Sequence, residues 1–273
     1  MSRFSECFFL VFGQLAVGGA IGLTVPPFRV LDRGFYRSSG GIFAGFAAAF
    51  AVANGVLSWQ VGGLGGRPGV EFALWLGFTA LFVAYTALLW TERSLLRARV
   101  FSATLFAGIL ALTFSADAFV PTAFRGPVAW LYPLPFLTAA ASLGAVATGM
   151  LLGHWYLIDL GLSIDPLARL LRFFMWATAI HLFVLLAGLG VAWASGGDAG
   201  RAATALLTEH RTLFLARLLL GPVPALGIAW LIHRTLQIPQ TMAATGLFYV
   251  AILFVMVGEM LGRLVLYQTG LPL

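Results

Sequence analysis

Lysine is absent from this chain of 273 residues, cysteine occurs once, and charged side chains make up only 10% of it. Soluble domains carry roughly a quarter charged residues, so too few are present here to cover a water-facing surface. That excludes a soluble enzyme, a nucleic-acid binder and a disordered tail. The lone Cys7 excludes a disulfide framework, a cysteine-rich zinc site and an all-cysteine iron–sulfur cluster. Long hydrophilic stretches are missing as well. The longest polar connections, near 26–40 and 155–171, are short and punctuated by Pro and Gly. With no soluble domain to work alone, extramembrane catalysis would have to come from partner subunits.

What is present is apolar: 60% hydrophobic residues and a mean hydropathy of +0.96. A bilayer core of about 30 Å needs about 20 apolar residues per helix. Runs of that length occur near 5–25, 41–61, 71–91, 100–119, 132–154, 172–194, 212–233 and 242–266. The expectation is an all-α polytopic membrane protein of eight transmembrane helices, because lipid offers no partner to an open sheet edge. Stretches such as IFAGFAAAFAVANGVL do not alternate as barrel strands would. The first run is too long for a signal-peptide core and is interrupted by Glu6, so it reads as a retained helix.

The net charge of +6 comes entirely from arginine and lies mostly between the apolar runs, which makes it topology-setting charge. Arg29, Arg33, Arg37, Arg93, Arg97, Arg99, Arg169, Arg172 and Arg234 fall in odd-numbered loops. Only Arg3, Arg67, Arg125, Arg201 and Arg211 fall on the other side. The bias places both termini outside the cytoplasm. A weak echo between 88–117 and 229–259 lays Trp90 on Trp230 and Asp117 on Glu259, as two four-helix halves (1–125 and 126–273) would.

Ionisable groups at membrane depth are costly and mark function by default. The candidates are Asp117, His154, His181, Arg217, Glu259 and Arg263, with Gln14 as a polar neutral. Glu259, Arg263 and Tyr267 share one helix face at i, i+4, i+8, which would suit binding a quinone carbonyl and relaying its proton. The same stripe would also suit an ion pair at the membrane edge. Arg217 either snorkels to the interface or joins Glu259 or Asp117 in the bundle. His154 and His233 lie at matched depth on helices of the same direction, as a bis-histidine haem b would require. They also sit where an aromatic belt puts interfacial histidines. His181, in mid-span, suits a quinone contact, proton transfer or a bundle hydrogen bond. GPVPALG (221–227) is the one candidate helix break, and no acid stands beside it in sequence, which disfavours a transporter. No nucleotide loop or hydrolase triad is evident.

Two segments carry a family resemblance. FFLVFGQLAVGGAIGL (8–23) and GEMLGRLVLY (258–267) resemble the opening and closing spans of the integral membrane anchors of molybdopterin oxidoreductases, of the dimethyl-sulfoxide-reductase and polysulfide-reductase type. The resemblance covers about 26 residues. It implies eight helices, both ends on the periplasmic side of a bacterial inner membrane, and a bundle that handles menaquinol or ubiquinol. Gln14, Glu259, Arg263 and Tyr267 would flank that quinone. It also implies partner subunits, among them an iron–sulfur or cytochrome subunit, and no redox centre in this chain. The stretch GHWYLIDLGLSIDPLARLLR has no counterpart in that pattern. It would equally suit a cofactor-free accessory subunit of another respiratory or photosynthetic assembly.

Overall fold

The computed structural model describes residues 3–61, 63, 65–124, 127–159, 161–238 and 240–273. Arg125 lies outside them. The described chain is helical throughout: α1 (Arg3–Gly22), α2 (Arg33–Val61), α3 (Gly66–Leu88), α4 (Ser94–Ala118), α5 (Pro127–Leu131), α6 (Pro133–Trp155), α7 (Asp165–Ala194), α8 (Gly197–Thr208), α9 (Arg211–Leu219), α10 (Pro222–Leu236) and α11 (Thr241–Thr269). Seven segments are long and apolar enough to cross a membrane, one of them formed by α9 and α10 together. In α1 the apolar part, Glu6–Gly22, is shorter. The protein is thus a multi-pass helical membrane protein.

Several helices begin before their apolar windows do, because side chains outside the hydrocarbon still favour the helix. α2 starts at Arg33 rather than near 41. Its first turns are held by Arg33 on Glu92 (2.8 and 2.9 Å) and by Arg37 on the Leu89 carbonyl (3.0 Å) and over the Trp90 ring (4.1 Å). Asp165 and Pro166 open α7 seven residues early, with an acid in the first turn and a proline where a missing N–H costs nothing. The seventh apolar run is broken into two helices. Pro222 removes a backbone donor and pushes Gly221 out of helical geometry, to φ −128° and ψ −113°. α5 and the amphipathic α8 were not legible as elements in the sequence.

At one end of the bundle lie the start of α1, the ends of α2, α4 and α11, and the start of α3, gathered around one cavity. At the opposite end the α1–α2 loop meets the end of α3 and the start of α4. α6 is the central post, and α1, α7 and α11 pack on it most extensively. The α1–α6 crossing rests on small residues. A Cβ added at Gly144 would fall 1.8 Å from the Gly18 carbonyl oxygen, and one at Gly18 would fall 1.8 Å from the Ala140 carbonyl. Backbones that approach this closely gain dispersion and Cα–H contacts, the main attractive terms between helices in lipid.

Candidate functional site

Four buried ionisable side chains from α7, α9 and α11 meet in the bundle. Glu259 is the hub: its Oε1 accepts from Arg217 Nη2 at 2.6 Å and its Oε2 from Arg263 Nη2 at 3.3 Å. His181 Nε2 lies 2.8 Å from Arg217 Nη2 and 3.0 Å from Glu259 Oε1, and its Nδ1 lies 2.9 Å from the Thr138 hydroxyl. All four are at most 2% exposed. The Arg263 guanidinium also stacks over Phe136 at 4.1 Å. The stripe anticipated on the last helix therefore faces the bundle interior. Glu259 stands ten residues before the end of α11, about 15 Å along the axis.

The helix break is part of this site. Arg217 occupies the last full turn of α9, and Gly221 lets the broken backbone pass against Gly258; a Cβ at Gly258 would meet the Gly221 Cα at 2.4 Å. No acid stands beside the break in sequence, but the fold brings Glu259 there from 38 residues downstream of Gly221. Ser142, Thr178, His181, Arg217, Pro222, Val255 and Glu259 leave no water-sized space among them. Two guanidinium groups share one carboxylate, so one positive charge is uncompensated within the cluster. Arg217 Nε and both Arg263 Nε and Nη1 lack an acceptor among the described residues. Buried donors without acceptors are costly and call for an explanation.

Next to the cluster lies a cavity of about 400 Å3 at the end of the bundle where α1 begins. Glu6, Glu71, Asn54, Phe119 and Tyr267 are among its walls. Glu71 accepts from the Ser115 hydroxyl at 2.5 Å and from Asn54 Nδ2 at 3.3 Å, and Ser115 in turn accepts from Trp75 Nε1 at 2.9 Å. One aromatic layer separates cavity and cluster. Phe119 packs against Tyr267 (centroids 5.6 Å apart) and stacks on Phe136 (5.9 Å), the ring beneath Arg263. In the sequence Glu6 stands out only as an interruption at the start of the first apolar run, and Glu71 is not singled out. The available signal was that Glu71 precedes Trp75 by four residues and so shares its inward face.

The remaining sequence candidates are not drawn into this site. Gln14 is fully buried, but among the described residues its Nε2 reaches only the Phe136 carbonyl, at 3.4 Å. Asp117 is exposed and pairs with Arg67 at 2.7 Å, so the residue that the internal echo lays on buried Glu259 sits at a helix end. His154 and His233 are both exposed and engage separate partners: Tyr249 at 3.4 Å and, within its own helix, Gln237 at 3.3 Å. Among the described residues no group of three or more His, Cys, Asp or Glu side chains converges as a metal site. No protein-family profile, characterised protein or solved structure matches this chain.

Proposed function

We propose that this chain is a quinone- or quinol-interacting membrane subunit of a multi-subunit electron-transfer assembly, with no redox centre of its own. It crosses a bacterial inner membrane eight times, α1 being the eighth span, with both termini on the periplasmic side. The observation that carries this reading is the pairing of a cavity lined by carboxylates and aromatic rings with a closed, net-positive cluster beyond the stacked Phe119–Phe136 pair. A cavity of about 400 Å3 falls within the roughly 300–1,000 Å3 of small-molecule sites.

Oxidation of a quinol releases two electrons and two protons. The electrons pass to a centre in a partner subunit, an iron–sulfur or cytochrome protein. The protons need bases, and the carboxylates of Glu6 and Glu71 stand at the cavity wall to accept them, with the Tyr267 hydroxyl beside them as a hydrogen-bonding relay. The reduced ring develops negative oxygen, which fixed positive charge in a low-dielectric setting favours. Arg263 and Arg217 supply that charge across the Phe119–Phe136 layer, while Glu259 and His181 hold them in place. Menaquinone and ubiquinone are both compatible with such a site.

Quinone extraction and a reduced-minus-oxidised visible spectrum on the purified complex test the proposal. About one quinone per complex is expected, lost in Glu71→Gln and Tyr267→Phe, with no b-type band assignable to this chain. A b-type band abolished by His154→Ala or His233→Ala would instead make the chain a haem-b cytochrome.

A second reading, a cofactor-free accessory subunit, is favoured by one observation: the Arg217–Glu259–His181 cluster is closed to water. It expects no quinone in the wild-type complex and only loss of assembly when Glu259 is neutralised.

A further inference from the structure

The arginine-rich end of the bundle holds a second cavity, of about 380 Å3, independent of the proposed quinone site. It is framed by the α1–α2 loop, α2, the end of α3 and the first turns of α4. Arg97 lines it. This arginine is only 8% exposed, yet none of the described carboxylates pairs with it. Among the described residues its guanidinium makes one hydrogen bond, from Nη1 to the Thr91 carbonyl at 3.4 Å, and rests on the Phe28 ring at 4.6 Å.

Neighbouring acids are already engaged. Glu92 is held by both nitrogens of Arg33, and Asp32 accepts from the Gly34 backbone at 2.5 Å. Arg97 is buried as a residue while its unbonded nitrogens open to the cavity, so an anion there would complete a guanidinium that no described carboxylate neutralises. Two further donors face the same space. The Tyr85 hydroxyl, on a residue 3% exposed, and the Ser94 hydroxyl have no recorded partner among the described residues, and both residues line the cavity. The site also lies at the N-terminal turn of a 25-residue helix, where unpaired N–H groups and the helix dipole favour negative charge.

The rest of the lining is largely apolar, with Leu23, Pro27, Ala98 and Phe101 among it, and its two other hydroxyls are engaged, Thr24 on the Ile21 carbonyl and Tyr36 on the Pro26 carbonyl. Free donors set beside an apolar wall fit a phosphate ester attached to acyl chains. We propose that this cavity binds a phosphate anion, carried by the headgroup of an anionic phospholipid in the leaflet on the arginine-rich side. Arg97 is its main ligand, and Tyr85 and Ser94 donate to the remaining oxygens. An arginine fork matches phosphate geometry and forms charge-assisted bonds, which suits Arg97 to this role over a point charge.

The test uses the full-length chain in detergent, stripped of lipid, with dioctanoyl phosphatidylglycerol, dioctanoyl phosphatidylcholine and inorganic phosphate as separate probes. Binding is read by native mass spectrometry and by the shift in Tm. One phosphatidylglycerol per chain is expected, bound more tightly than phosphatidylcholine. Its affinity falls roughly tenfold or more in Arg97→Gln, the loss of one charge-assisted contact, and is unchanged in the exposed-site control Arg99→Gln. Tyr85→Phe, which keeps the ring and its packing, should weaken binding by a smaller factor and guards against misfolding of Arg97→Gln. Inorganic phosphate that binds with the same Arg97 dependence and displaces the lipid would assign the site to free phosphate, leaving the anion site standing. Absence of binding by every probe, or equal loss in Arg97→Gln and Arg99→Gln, would overturn the proposal.

Discussion

Replacing Glu259 by glutamine is expected to destabilise the protein by about 3–5 kcal/mol, the range seen when one partner of a buried ion pair is removed. The size follows from the geometry. Glu259 is the only carboxylate within salt-bridge distance of Arg217 and Arg263 among the described residues, at 2.6 and 3.3 Å. Without it, two buried guanidinium groups remain in one cluster with no described carboxylate to neutralise either. Glutamine keeps the shape and one acceptor, so the loss reports charge rather than volume. The double variant Glu259→Gln, Arg263→Gln removes one of the repelling cations and should be more stable than Glu259→Gln alone. Detergent-solubilised melts of the two variants check this. A Glu259→Gln protein within about 1 kcal/mol of wild type would show that the cluster does not hold the bundle together.

The second large effect is expected at the α1–α6 crossing. Gly144→Ala should cost at least the upper part of the roughly 1–3 kcal/mol typical of overpacking, because the new methyl meets backbone and not a side chain that can turn away. Its Cβ would sit 1.8 Å from the Gly18 carbonyl oxygen and 2.6 Å from the Gly18 Cα. The two helices can accommodate it only by separating along their most extensive contact. Gly45→Ala and Gly77→Ala are the matched controls: both positions are helical with open space where the Cβ would go. There the change should be neutral or slightly stabilising, since alanine is favoured over glycine in a helix by up to about 1 kcal/mol. A Gly144→Ala protein that melts with these controls would contradict the close crossing.

Much of the frame was legible in advance because membrane solvation acts on local sequence. Seven apolar runs gave helices at nearly the expected positions, and the arginine-rich loops meet at one end of the bundle. Boundaries slipped where polar residues still propagate a helix beyond the hydrocarbon, as at Arg33–Arg37 and Asp165. The short α5 and α8 escaped notice because neither has a bilayer-length apolar run. The Glu259–Arg263 alignment was also legible, since i and i+4 share a helix face whatever the fold. What that face met was not. Nor was the inward role of Glu71, which stands at a span edge where a solvated carboxylate is the ordinary case.

The sequence by itself determined the class of the protein, its helix segments and the face shared by Glu259, Arg263 and Tyr267. Each of these follows from hydropathy or helical periodicity within about thirty residues of chain. Only the tertiary structure decided that His181, Arg217 and Glu259, 36 and 42 residues apart in sequence, occupy one closed cluster while Asp117, His154 and His233 stay outside it. In lipid both the core face and the outer face of a helix are apolar, so periodicity carries little information about which way a side chain points. That direction is set by which backbones can approach most closely, here Gly18 on Gly144 and Gly221 on Gly258.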